Sequence, residues 1–154
     1  MDRLIINKVI SPKDELISLF EFSAINYRCE ENGIRLSLAD KRYKWETLCR
    51  FTQSTVLIYG MYPFKASERE KILNQLNKIN RQLITGTMFL ENETVVMRTS
   101  ADLFDAYNTH ETIARALEYN AGAITKFWRT LQPKKEIKSI LSERGNAPRN
   151  NPWS

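Results

Sequence analysis

The sequence "MFLENETVVM", Met88–Met97, has two apolar halves that meet at a central Asn-Glu pair. A short polar centre between apolar and β-branched residues is typical of a β-hairpin. Side chains alternate between the two faces of a strand. One face of this hairpin therefore receives Met88, Leu90, Val95 and Met97, and the other receives Phe89 and Val96. A half-buried hairpin carries apolar side chains on one face only, so the second face here needs a cover.

Three amphipathic segments predict helices on either side of this hairpin. The first runs from Ser11 to about Phe22, because serine can cap a helix and Pro12 suits its first turn. The third runs from Thr109 to about Gln132, where Pro133 interrupts it. The second begins at about Ser67 and presents one apolar stripe made of Ile72, Leu76, Ile79 and Leu83.

Between residues 24 and 62 the apolar pattern has a period of two, which predicts three or four consecutive antiparallel strands. Asn32-Gly33 marks one turn, and Pro63 ends the last of these strands. The element order is then α-βββ-α-ββ-α. We expect an α+β fold with a single antiparallel sheet of about five strands flanked by helices. Residues 1–132 form this single domain, and residues 133–154 are expected to be a basic, partly disordered tail.

A turn at Thr52-Gln53 gives the hairpin of the third and fourth strands the same two-sided pattern. The face beneath the helices then combines Trp45, Cys49, Phe51, Val56 and Ile58. Apolar residues on the opposite face, if left bare, would form a patch that monomers rarely expose. A helix of the same chain, a second copy or a client protein could cover it. The candidate protein-binding residues are Leu48, Leu57, Tyr59, Met61, Phe89 and Val96.

Residue types that carry catalysis or bind metals are sparse. The chain has one histidine, His110, and two cysteines, Cys29 and Cys49, which are far apart in sequence. These residues show no metal-ligand spacing, and the sequence has no glycine-rich phosphate loop and no GxSxG motif. Both cysteines fall in predicted strands, which favours free thiols packed in the core. We therefore expect no enzymatic activity, no metal site and no cofactor.

The net charge of +5 is concentrated near the end of the chain. A basic tail can bind phosphates, which makes a nucleic-acid-associated regulator the alternative function. The strand "KRYKWETLCRF", residues 41–51, places its aromatic side chains and its charges on opposite faces, whereas a base-stacking surface needs both on one face. Nucleic acid is therefore the less favoured partner. The basic residues of the tail are Lys134, Lys135, Lys138, Arg144 and Arg149.

Hydropathy gives an expected location. No run reaches the roughly 20 apolar residues of a membrane span. The N-terminal "MDRLIINKVISPKDE" lacks the features of a secretion signal. We expect a cytoplasmic protein without a membrane partner.

Two stretches carry a family resemblance. "ILNQLNKINRQLITGTMFLENETVVMRTSADL", residues 72–103, and "ALEYNAGAITKFWRTL", residues 116–131, are similar to the helix-hairpin block and the closing helix of the YbjN-like family. That family has the fold of type III secretion chaperones and usually carries a glycine in the acidic turn, where this chain has "ENET". The resemblance implies a non-enzymatic protein that binds or regulates a protein partner, often as a homodimer, with no cofactor and no established binding residues.

Overall fold

Alternating apolar and polar residues build one antiparallel sheet. The computed structural model describes residues 10–133. Neighbouring strands are all antiparallel, in the order β1-β2-β3-β4-β6-β5. The predicted α+β fold with a single antiparallel sheet is confirmed, and the short edge strand β1 brings the number of strands to six. The strands are β1 (Arg28–Glu30), β2 (Gly33–Ala39), β3 (Lys44–Phe51), β4 (Thr55–Lys65), β5 (Thr87–Glu91) and β6 (Thr94–Asp102).

In the described range, 10–133, four helices pack against one face of this sheet. Ser11 caps the first helix, since its hydroxyl accepts a hydrogen bond of 3.3 Å from the amide of Asp14. Asn108 caps the third in the same way, accepting 3.1 Å from the amide of Glu111. No helix within residues 10–133 has the length and apolar character needed to cross a bilayer. The helices are α1 (Pro12–Phe22), α2 (Arg69–Gln82), α3 (Thr109–Lys126) and α4 (Trp128–Leu131).

The core lies between the helices and this face of the sheet, in two adjoining clusters. One joins α2, α3 and α4 to the central and β5-side strands, with Met88 and Met97 fully covered. The other joins α1 and α3 to the opposite half of the sheet, around Ile34 and Ile58. The apolar stripe predicted for the second helix faces the first cluster, where Ile72, Leu76 and Ile79 are buried.

The hairpin of residues 88–97 has the register that its sequence predicts. Met88 pairs with Met97 and Leu90 with Val95. Asn92 opens the turn with φ of 57°, a left-handed conformation that asparagine tolerates better than most residues. Asparagine thus forms the turn without the glycine that a positive φ usually favours.

The turn between β3 and β4 lies one residue later than predicted. The amide of Thr52 donates 2.9 Å to the carbonyl of Thr55, which places Gln53-Ser54 at the tip. Cys49 therefore pairs with Ile58 instead of Val56. Because the partner moves by two positions, every side chain keeps its predicted face.

The prediction that Pro63 ends the fourth strand is wrong. Strand β4 continues to Lys65 through an irregularity that shifts its pairing with β6 between Met61 and Lys65. Proline cannot donate a ladder hydrogen bond, and β-bulges are among the few sheet positions that accept it. The strand therefore passes Pro63 by giving up regular pairing there.

The prediction of one continuous last helix to Gln132 is also wrong, because the helix breaks at Phe127 into α3 and α4. The hydroxyl of Tyr62 donates 2.7 Å to the carbonyl oxygen of Ile124. In a continuous helix that oxygen would accept from the amide of Trp128. A strand side chain therefore takes up the acceptor at the point where the helix turns.

Candidate protein-binding face

The six predicted protein-binding residues lie on one face of the sheet, opposite the helices. Tyr59 stands directly across from Leu48 on β3 and from Arg98 on β6. One row along, Val96 stands between Met61 on β4 and Phe89 on β5. We call this surface the open face and define it by Leu48, Leu57, Tyr59, Met61, Phe89 and Val96.

Within residues 10–133, no helix packs on the open face. Both core clusters contain helix residues, and neither contains any of the six open-face residues. Leu48 and Val96 are nevertheless buried, at 8% and 5% exposure, because their neighbours on the adjacent strands surround them. The other four residues are half-buried. The exposed part of the apolar surface is therefore made by Leu57, Tyr59, Met61 and Phe89.

The open face is concave at its centre. A hollow of about 250 Å³ lies over the middle strands, with Glu91, Asn92 and Thr94 along one side. A second, shallower hollow of about 620 Å³ adjoins it at Met61 and Thr94 and extends toward β2. The lining of the first hollow is completed by Leu48, Arg50, Tyr59, Met61 and Val96.

Arginines on this side of the sheet fall into two groups. The first group is neutralised, because Arg35 contacts both carboxylate oxygens of Glu30 at 2.9 and 3.0 Å and Arg28 bonds Glu46 at 3.1 Å. The second group is Arg50 and Arg98. Among residues 10–133 neither of them has a carboxylate within 4.0 Å.

Arg50 and Arg98 stand on either side of Tyr59. The guanidinium carbon of Arg50 is 5.8 Å from the centre of the Tyr59 ring, within the range of a cation–π contact. Arg98 faces Tyr59 directly across the β4–β6 pair. Both arginines are exposed. The face can therefore offer apolar contact and charge-assisted hydrogen bonds within a few ångströms of each other.

The sequence predicted the apolar residues of this face but missed its arginines. Strand alternation could have found them. Arg98 lies two positions after Val96, and Arg50 two positions after Leu48, so each shares a face with a predicted binding residue. Which arginines already have acidic partners could not be read from spacing, because the Arg28–Glu46 pair joins residues on nonadjacent strands.

The edge of the sheet formed by β5 is partly blocked by a side chain of α2. The side-chain nitrogen of Asn80 on α2 donates a hydrogen bond of 2.9 Å to the backbone carbonyl of Met88. Its side-chain oxygen accepts one of 2.8 Å from the backbone N–H of Met88. These are the groups that an added strand would use at that position of β5. A partner therefore finds the face of the sheet more accessible than this part of its edge.

The remaining predicted features lie apart from the open face. Cys49 is buried, and burial raises the pKa of its thiol to about 12. The expectation that Cys29 packs in the core is wrong, because it lies on the short edge strand β1 and is exposed. Nε2 of His110 on α3 lies 3.1 Å from the hydroxyl oxygen of Ser18 on α1. Within residues 10–133, His, Cys, Asp and Glu side chains do not gather into a group of three that could hold a metal ion.

The basic tail residues Lys134, Lys135, Lys138, Arg144 and Arg149 lie outside the described residues. In the "KRYKWETLCRF" strand, the aromatic side chains do face the helices, as predicted. Tyr43 stacks on Trp128 with ring centres 4.4 Å apart, and Trp45 meets the same ring edge-on. Trp45 is buried in the core, and Tyr43 and Phe51 are half-buried against it, on the face opposite the strand's charges.

Comparisons with known proteins agree with this architecture. The family model "YbjN: Putative bacterial sensory transduction regulator" matches residues 14–133. The crystal structure of YbjN from E. coli, "a putative transcription regulator", superposes with a TM-score of 0.64 and 17% sequence identity, covering 82% of this chain and 100% of that one. At this identity the likeness shows a shared fold. No curated protein matches the sequence. Because the family model spans most of the chain, the protein belongs to the YbjN family.

Proposed function

We propose that this protein is a non-enzymatic cytoplasmic regulator that acts by binding another polypeptide through the open face. The observation that carries the proposal is the sheet itself, which has apolar side chains on both faces and described helices on only one. The family description as a regulator fits a protein that works by contact.

The placement of the open-face residues supports a binding role more than a packing role. None of the six belongs to a core cluster, and the four half-buried ones contribute less to folding than their size would allow. A contiguous exposed apolar surface on a protein of this size commonly marks an interaction site. The hollow beside Tyr59 gives a partner side chain a place to pack.

The homodimer that the sequence leads us to expect is one way to cover this face, with a second copy as the polypeptide bound. A client or target protein is the other. Light scattering after gel filtration distinguishes them, because a second copy doubles the mass of the purified protein at high concentration.

Affinity capture from native cells tests the proposal. Wild type is compared with Leu57→Lys and Tyr59→Lys, which place a charge on the open face, and with Leu73→Lys, which does so at an exposed position of α2. We expect wild type and Leu73→Lys to bind the same polypeptide, or to self-associate equally, and both open-face variants to lose that binding. Equal binding by all four proteins would contradict the proposal.

The nucleic-acid alternative predicts a different outcome. Binding through phosphates falls steeply as salt rises, whereas apolar contact does not. If wild type retains only nucleic acid, and high salt releases it, the alternative function replaces the proposed one.

A further inference from the structure

Arg50 and Arg98 have no carboxylate within 4.0 Å among residues 10–133, which bears on the kind of polypeptide that the open face binds. We infer that the partner presents a carboxylate side chain between apolar side chains, and that Arg50 and Arg98 bind the carboxylate while the hollow binds its apolar neighbours. This inference rests on the proposed function and adds the chemistry of the partner to it.

Charge complementarity is the first argument. Arg28 and Arg35 show that this chain supplies glutamates to arginines where it needs them neutralised. It supplies none from residues 10–133 to Arg50 or Arg98, although both border the apolar centre of the face. An apolar partner without an acid would desolvate these guanidinium groups and leave their charge unpaired, which costs free energy.

Geometry is the second argument. Tyr59 neighbours both arginines, since its ring is in cation–π contact with Arg50 and its strand position pairs with Arg98. A carboxylate beside Tyr59 can accept hydrogen bonds from these arginines, and guanidinium matches carboxylate in a two-bond arrangement. The adjoining hollow is lined by Leu48, Met61 and Val96 and suits an apolar side chain next to that acid.

The acidic residues on the open face limit how much negative charge a partner can carry. Glu91 lines the far side of the hollow, and Glu46 is already bonded by Arg28. A uniformly acidic segment, or the phosphate backbone of a nucleic acid, would meet Glu91 unfavourably. A short acidic position with apolar flanks avoids that repulsion, and this favours a polypeptide partner of mixed character over a polyanion.

Selection from a display library of random peptides about one strand long (~8 residues) tests the inference with full-length wild-type protein. We expect the selected peptides to carry Asp or Glu next to apolar residues. Replacing that acid by its amide should weaken binding to wild type by about tenfold or more, the usual size of a charge-assisted contact. The same replacement should change little in the Arg50→Ala/Arg98→Ala variant.

The matched control is Arg81→Ala/Arg129→Ala, which removes the same charge from exposed positions on α2 and α4. This control should keep the full preference for the acid. If the control loses the preference for the acid as fully as the Arg50→Ala/Arg98→Ala variant does, the inference is overturned, because the effect then comes from net charge.

Two further outcomes separate this inference from the proposed function. Selected peptides that lack an acid, yet lose binding in Tyr59→Ser, would overturn the inference and leave the proposed function standing. Failure to select any peptide, or selection of peptides that bind Tyr59→Ser as well as wild type, would contradict both. Binding of a single-stranded oligodeoxythymidine that depends on Arg50 and Arg98, without peptide selection, would assign the face to nucleic acid.

Discussion

Asn120 on α3 lies directly above Gly60 on β4, so closely that a Cβ atom at position 60 would overlap its side-chain oxygen. The amide nitrogen of Asn120 donates 3.1 Å to the carbonyl of Ile58 and 2.9 Å to that of Met97. One side chain therefore ties the third helix to the neighbouring strands β4 and β6. The absence of a side chain at Gly60 is what allows this approach.

Gly60→Ala should destabilise the protein by about 2–3 kcal/mol, because the added methyl group forces Asn120 and Ile124 away from the sheet. Denaturation in urea measures the change. The control is Gly122→Ala, an exposed position on α3 where a Cβ atom meets nothing within 4 Å. That variant should gain about 0.5–1 kcal/mol from helix propensity. Equal effects of the two substitutions would rule out the close approach as the cause.

Tyr62→Phe should lower the free energy of unfolding by about 1–2 kcal/mol, because the buried carbonyl of Ile124 loses its hydrogen bond. Tyr59→Phe is the control, since Tyr59 is half-buried on the open face and its hydroxyl makes no hydrogen bond within residues 10–133. It should change stability by less than about 0.5 kcal/mol. Chemical denaturation of both variants gives the comparison, and a loss as large in Tyr59→Phe would refute the assignment.

Stability should depend on alkaline pH through Cys49. Burial raises the pKa of its thiol to about 12, whereas an unfolded cysteine has a pKa near 8.5. Above the unfolded value the unfolded chain releases a proton that the folded protein keeps, so folding loses stability as pH rises toward 12. The loss approaches about 1.4 kcal/mol per pH unit for this group.

Comparing wild type with Cys49→Ala isolates that contribution, because both proteins share every other titrating residue. The difference in their free energies of unfolding should shrink from pH 9 upward. A difference that stays constant from pH 8 to pH 11 would show that the thiol is not held neutral in the folded state.

Tyr59→Lys should change stability by about 1 kcal/mol or less, because the open face contributes little to either core cluster. Ile58→Lys, one residue away on the opposite face, should prevent folding, since Ile58 is fully buried and a charge there would have no partner. Circular dichroism and thermal denaturation of the two variants check this contrast. Comparable damage from both would mean that the open face is part of the core.

The face on which each strand side chain lies could be predicted from sequence, because it depends only on whether the residue is an even or an odd number of positions along the strand. Moving the turn from Thr52-Gln53 to Gln53-Ser54 changed the partner of Cys49 but left every side chain on its predicted face. For residues 88–97 the turn was also placed correctly at Asn92-Glu93, so the pairing of the two strands was predicted as well. Local alternation is a property of contiguous residues, so a single sequence contains it.

Features that depend on distant residues could not be predicted in this way. The break at Phe127 depends on a hydrogen bond from Tyr62, which is 62 positions away from its acceptor. The exposure of Cys29 depends on β1 being a short strand at the edge of the sheet. Within the described part of the chain, Arg50 and Arg98 lack an acidic partner because the fold brings the nearby glutamates to Arg28 and Arg35 instead.

Site-specific photo-crosslinking in living cells tests the role of the open face most directly. A photoreactive phenylalanine analogue is placed at Tyr59 on the open face and, in a second variant, at Leu73 on α2, which is 42% exposed. If the open face binds a polypeptide, a discrete protein adduct forms at position 59 and is absent at position 73. Position 59 yielding no adduct, or the two positions yielding the same adducts, would contradict it.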